Sequence, residues 1–192
     1  VKDNPIDLQA NFRGILPAGW ALDNIGTDPD GIACLHNNII TIWPTSGGML
    51  DGGDGLKYLY TSRSADFSIE VQIPLEKERL APRNAGFLIR DSLDPKSHSL
   101  FMGWTNDRKL EIQNREEGRE KLQHATIKSL PLFSWQRISR AGERILWEQS
   151  VDGIKWSKIV QVEFPTSKPL LIGLIASDLQ GENFGPIDLQ NL

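Results

Sequence analysis

Apolar and polar residues alternate one for one along much of this chain. The clearest stretch is Asp66-Phe-Ser-Ile-Glu-Val-Gln-Ile-Pro74, where Phe67, Ile69, Val71 and Ile73 fall on one side and Ser68, Glu70 and Gln72 on the other. A period of two is that of an extended strand with one buried face. Similar segments recur at Ile39–Trp43, Lys57–Tyr60, Ala85–Arg90, Leu100–Thr105, Lys109–Arg115, Lys121–Ile127, Trp135–Ser139, Arg144–Gln149, Lys158–Phe164, Leu170–Ala176 and Pro186–Leu189. Between them stand turn formers, among them Gly47-Gly48, Asp51-Gly-Gly-Asp-Gly55, Asp94-Pro95, Asn106-Asp107, Ala141-Gly142 and Asp152-Gly153, which tolerate the backbone angles that tight connections need. No segment requires a helix. Pro74–Leu80 is short, charged and closed by Pro82, which reads as a loop or single turn, and Glu116–Gln123 is broken by Gly118, which reads as a hairpin. Many short strands joined by tight turns predict an all-β fold, an antiparallel sandwich or barrel with few or no helices.

Composition narrows the function classes. A chain of 192 residues with 39% apolar residues suits one domain with a sizeable core. The 21 Lys and Arg are outnumbered by 25 Asp and Glu and are scattered, so the basic face that a phosphate backbone requires is missing and nucleic acid is not an expected partner. No apolar run approaches the roughly 18 residues of a membrane helix, and no membrane span is expected. The chain opens at Val1 without a Met or a signal-type apolar region, as expected of a mature or excised fragment. Residues 1–19, rich in turn formers, are expected to be an arm or linker packing on the sandwich, with 20–192 as a single domain. Cys34, the one cysteine, sits in the apolar Gly31-Ile-Ala-Cys-Leu35. It permits no internal disulfide and is expected to be an inert buried thiol.

Several motifs follow one another in a recognisable order: Gly19-Trp20, Gly52-Gly-Asp-Gly-Leu-Lys-Tyr-Leu-Tyr60, Ala85-Gly-Phe-Leu-Ile-Arg-Asp-Ser92, Trp135-Gln-Arg-Ile-Ser-Arg140 and Gln149-Ser-Val-Asp-Gly-Ile-Lys-Trp156. This order resembles the concanavalin A-like, laminin-G-like sandwich domains, including those labelled DUF1349 or regulation-of-enolase-protein-1-like, over roughly Trp20 to Leu192. The resemblance implies a jelly roll of two antiparallel sheets and a carbohydrate-binding or glycan-processing context. It also implies a secreted or periplasmic bacterial location, with other domains of a longer chain as neighbours. Fold by itself does not fix function. The Ser150–Trp156 motif resembles a shortened Asp-box hairpin, in which Ser150 and Asp152 bond local backbone amides and Trp156 packs over the turn.

On such a sandwich the residues alternating with the core line an outward face. The polar and aromatic candidates for it are Glu70, Gln72, Arg90, Trp104, Glu111, Gln113 and Trp147. Aromatic rings cover the apolar faces of pyranoses, while carboxylate, amide and guanidinium groups bond their hydroxyls. An oligo- or polysaccharide is therefore the expected ligand. Arg90 is expected to pair with Asp91 or Glu70, and Trp43, Tyr58 or Tyr60 to stand near the rim. An enzymatic alternative, a glycoside hydrolase or lyase, would use Glu70, Glu111 or Glu116. Glu111-Ile-Gln-Asn-Arg-Glu116 keeps the spacing of the E-x-D-x-x-E strand of laminarinase-type glycosidases, with Gln113 in place of the central Asp. A third reading is a structural or protein-interaction domain. His36, His98 and His124 lack metal-ligand spacing, so zinc is not expected. No cofactor is certain; a structural calcium could draw on Asp23, Asp51, Asp54 or Asp188, with Asp28, Asp30 and Asp178 as further oxygen donors.

Overall fold

The computed structural model describes residues 16, 18–26, 32–36, 39–43, 47–72, 84–105, 109–117, 119, 123–127, 135–166, 169–177 and 187–190, with the backbone alone for 32–36, 43, 105, 127 and 187–190. They form fourteen strands: β1 (Trp20–Ile25), β2 (Ile32–His36), β3 (Ile39–Trp43), β4 (Leu56–Arg63), β5 (Phe67–Gln72), β6 (Asn84–Arg90), β7 (Ser99–Thr105), β8 (Leu110–Arg115), β9 (Gln123–Ile127), β10 (Trp135–Ala141), β11 (Arg144–Ser150), β12 (Trp156–Glu163), β13 (Leu170–Ser177) and β14 (Ile187–Gln190). No helix occurs among the described residues. The strands pair antiparallel in two seven-stranded sheets, a first in the order β1-β4-β13-β6-β7-β8-β9 and a second in the order β12-β11-β10-β5-β14-β3-β2.

Every segment expected to be a strand is one, and two strands were not foreseen. In β1 the turn formers Asp23 and Asn24 break the pattern, and in β2 the run Ile32-Ala-Cys-Leu35 is apolar without alternation. β8 and β9 pair antiparallel, as the expected hairpin requires, with residues 118 and 120–122 outside the described residues. Pro74–Leu80 and the arm 1–15 lie outside the described residues, although Leu16 packs against the core.

Facing side chains of the two sheets form the core. The first sheet contributes Leu59, Phe87, Ile89, Leu100, Met102, Trp104, Ile172 and Leu174, the second Ile40, Ile42, Val71, Ile138, Ile145 and Trp147. Each large side chain withdrawn from water in this way contributes about 1.5–3 kcal/mol. A second apolar cluster, Ile25, Met49, Leu56, Tyr58, Leu88, Phe101 and Ile175, covers the other side of the first sheet. Strand β6 is consequently buried on both faces along its whole length, which is why its sequence reads as a nearly unbroken apolar run. Gly103 is required where it stands, because a Cβ there would lie 2.2 Å from the Ala85 carbonyl oxygen of the neighbouring strand. In the second sheet the register of β11 with β12 shifts between Trp147 and Glu148, a bulge that bends the outer strand.

Candidate functional site

Two in-register rows run across the outward face of the second sheet. Gln72, Trp135, Ser150 and Trp156 form one, and Glu70, Arg137, Glu148 and Lys158 the next. Alternation on β5 and β10 turns Val71 and Ile138 into the core and leaves Gln72, Glu70, Trp135 and Arg137 on the other side. Arg137 organises the face. Its Nε donates to Glu148 Oε2 at 2.8 Å, and its Nη1 to Glu70 Oε1 at 3.4 Å. The guanidinium carbon stands 4.2 Å from the centroid of the Trp156 ring, a cation–π contact that ties the indole to Arg137. Trp135 and Trp156 are two strand spacings apart, about 9.5 Å between backbones, and both are half-buried.

The β11–β12 turn borders this face, and its geometry follows from Ser150 and Asp152. Ser150 Oγ accepts from the Gly153 amide at 3.0 Å, and Asp152 Oδ1 accepts from the amides of Ile154 and Lys155, each at 2.9 Å. Those backbone bonds hold the Asp152 carboxyl below its ordinary pKa. Gly153 has a φ of +72° and lies against the Trp135 ring. The turn leaves two large apolar side chains in solvent at the border, Val151 at 67% and Ile154 at 79% exposure.

The outward face of the first sheet is closed over its middle. Residues 47–55 lie across it, with Met49 buried among Tyr58, Leu88 and Phe101. Asp54 bridges two guanidinium groups from the sheet: its Oδ2 accepts from Arg90 Nη1, and its Oδ1 from Arg115 Nη2 at 2.6 Å. All three side chains are fully buried. Asp54 Oδ1 also accepts from the Leu50 amide, and Arg115 donates to the Leu50 carbonyl. Arg90 further donates to the carbonyls of Ser92 and Asp94. Nearby, the Tyr58 hydroxyl sits between the carbonyls of Leu88 at 2.7 Å and Leu171 at 2.9 Å. Burial pushes its pKa well above the usual phenolic value. Tyr60, partly exposed, donates to Asp23 at 2.8 Å, and desolvation followed by this carboxylate pushes it up to about 12.

This geometry redistributes the residues expected to meet a ligand. Glu70 and Gln72 stand on the outward face of the second sheet, and Arg90, Glu111 and Gln113 on that of the first. Trp104 and Trp147 depart from the expectation, because both lie in the core and Trp147 gives its Nε1 hydrogen to Gln136 at 2.9 Å. Arg90 and Gln113 are closed off from solvent, and Arg90 pairs with Asp54 instead of Asp91 or Glu70. Tyr58 is fully buried and does not reach a rim; the Trp43 side chain lies outside the described residues. Sequence reasoning missed Trp135, Arg137, Glu148 and Trp156 as members of one face. The alternation in Trp135-Gln-Arg-Ile-Ser139 sets Trp135 and Arg137 opposite Ile138, and the Ala141-Gly142 turn joins β10 to β11, but no sequence signal pairs β10 with β5.

Of the three glutamates of the enzymatic reading, Glu70 is on β5 of the second sheet, Glu111 on β8 of the first, and Glu116 directly follows β8. Glu111 bonds His124 at 2.9 Å, and Glu116 pairs with Arg119 at 2.8 Å. Of the calcium candidates, Asp54 is taken by two arginines and Asp23 by Tyr60. Asp28, Asp30, Asp178 and the Asp188 side chain lie outside the described residues. Among the described residues no three His, Cys, Asp or Glu come together to hold a metal.

By sequence, no protein-family model and no curated protein matches the chain. Similarity appears in three dimensions. A functionally unknown protein from Saccharomyces cerevisiae superimposes with a TM-score of 0.58 at 17% identity, covering 89% of this chain and 91% of that one. A legume lectin-like domain from Entamoeba histolytica gives 0.56 at 11% identity, with 90% and 87% covered. A xylan β-1,4-xylosidase from Bacillus halodurans C-125 gives 0.52 at 16% identity, where 88% of this chain matches 37% of the enzyme. The fold is a concanavalin A-like, lectin-type β-sandwich. At these identities the likeness establishes the fold alone. No helix among the described residues is long and apolar enough to cross a membrane.

Proposed function

We propose that this chain is a carbohydrate-binding β-sandwich module, and that the outward face of its second sheet is the binding platform. The observation that carries this reading is the pair Trp135 and Trp156, two strands apart on one face, with Arg137 fixed between Glu70 and Glu148. Exposed indole edges and faces cover the apolar surface of pyranose rings, and the flanking carboxylates, Gln72 and the guanidinium bond the hydroxyls. The spacing of the two indoles suits an extended glycan laid across the strands. The lectin-like and xylosidase neighbours support a glycan as the ligand. Residues 20–192 form the module, 1–19 its arm, and the module serves as an accessory part of a secreted bacterial glycan-processing protein.

Such a platform binds weakly, in the millimolar to micromolar range that corresponds to about 4–8 kcal/mol. Titration calorimetry and affinity electrophoresis against a panel of soluble neutral polysaccharides, xylan included, test it. At least one glycan binds, and Trp156→Ala and Glu70→Gln weaken binding tenfold or more while leaving the fold intact. Absence of binding across the panel, or binding indifferent to both substitutions, rejects the platform.

A further inference from the structure

The clasp under residues 47–55 has the makings of a receptor. Arg90 on β6, Ser99 on β7 and Arg115 on β8 stand opposite one another in a single cross-strand row on the outward face of the first sheet. Two guanidinium groups on either side of one position form a fork that matches a carboxylate, one oxygen to each arginine. That is how they hold Asp54. Between them the fully buried hydroxyl of Ser99 has no hydrogen-bond partner among the described residues, which leaves a polar position in the row that Asp54 does not satisfy. The carboxylate in the fork does not come from the sheet. It is delivered by the nine residues Gly47-Gly-Met-Leu-Asp-Gly-Gly-Asp-Gly55, five of them glycine, a segment with little backbone stiffness of its own. Its polar ties to the rest of the molecule include the Asp54 side chain to Arg90 and Arg115, the Asp54 amide to the Pro95 carbonyl and the Leu50 carbonyl to Arg115.

We infer that Arg90, Ser99 and Arg115 form a receptor for the carboxylate of an acidic sugar, a uronate, and that Asp54 is its built-in competitor. A uronate carries oxygen atoms beside its carboxylate, so that the carboxylate replaces that of Asp54 in the fork while a neighbouring hydroxyl or ring oxygen meets Ser99. Entry of the ligand frees the Asp54 side chain and lifts the glycine-rich segment. This receptor lies on the opposite side of the sandwich from the Trp135–Trp156 platform, and neither depends on the other.

The experiment uses the full chain and three probes, D-glucuronate, acetate and chloride at matched ionic strength. In Asp54→Ala the receptor is vacated, and acetate and glucuronate raise the melting temperature in a saturable manner while chloride does not. In Asp54→Asn, which keeps the volume and removes the charge, glucuronate binds at least tenfold tighter than to the native protein, and Trp156→Ala does not change this. Should Asp54→Ala fail to fold without added anion, recovery of its near-ultraviolet circular dichroism by acetate but not chloride gives the same reading. The receptor is refuted if both variants respond to carboxylates no more than to chloride, or if Asp54→Asn binds glucuronate no better than the native chain.

Discussion

Inside the core, the indole Nε1 of Trp147 donates to the side-chain oxygen of Gln136 at 2.9 Å, with both residues shut off from solvent. A polar bond in an apolar layer matters most when half of it is removed. Gln136→Leu leaves a buried N–H unpaired, which costs about 1–3 kcal/mol and lowers Tm by roughly 2–4 °C for each kcal/mol in a chain of this size. Urea and thermal melts check it; an unchanged midpoint contradicts the pairing.

The two core tryptophans and the two surface ones separate stability from binding. Trp104→Ala and Trp147→Ala excavate the core and destabilise by about 3–5 kcal/mol. Trp156→Ala removes a half-buried ring and a cation–π partner worth about 0.5–1 kcal/mol at an exposed site. Chemical denaturation orders the variants, and glycan titration on the folded ones shows the loss confined to Trp156→Ala.

Gly153 is the point at which the β11–β12 turn meets the platform. A Cβ there would lie 3.1 Å from the Trp135 ring, on a backbone whose φ is +72°. Gly153→Ala therefore costs about 1–3 kcal/mol in backbone strain and displaces the indole. Its signature is a changed tryptophan emission maximum together with a lowered Tm; Gly142→Ala, at a φ of +62° but with nothing within 4 Å, shares the lowered Tm and leaves the emission maximum unchanged.

Alkaline titration gives a simple reading, since the chain has two tyrosines, Tyr58 and Tyr60. Both titrate above the usual phenolic range, Tyr60 at about 12. The neutral phenols are favoured by the fold, so their contribution to stability is complete below pH 10 and is lost as pH rises toward 12 and beyond. Phenolate absorbance in the folded protein stays flat through pH 10, where the urea-unfolded chain already ionises. A normal phenolic titration in the folded state contradicts the burial of Tyr58 and the Tyr60–Asp23 bond.

Strand positions were legible because period-two alternation survives wherever one face of a strand is buried, as in Phe67–Gln72. It fades where both faces are covered: Leu88 and Arg90 look outward from the core yet are sealed under residues 47–55. The binding face was harder to read. Glu70 was found from its own strand, but its neighbours Arg137 and Glu148 lie 67 and 78 residues on, and the pairing of β10 with both β5 and β11 places them together. Local pattern tells which way a side chain points and says nothing of who stands beside it. Asp54 shows the same limit, since a turn aspartate in a glycine-rich stretch gives no local sign that two distant arginines will close on it.

The register slip between Trp147 and Glu148 lies beside the outermost strand of the second sheet, where β12 also carries Lys158. A border that is curved and charged makes a poor template for a stranger's backbone. Molecules of this protein crowded together, or strung in tandem within a longer polypeptide, are thereby protected on this side from zipping into a continuous ribbon.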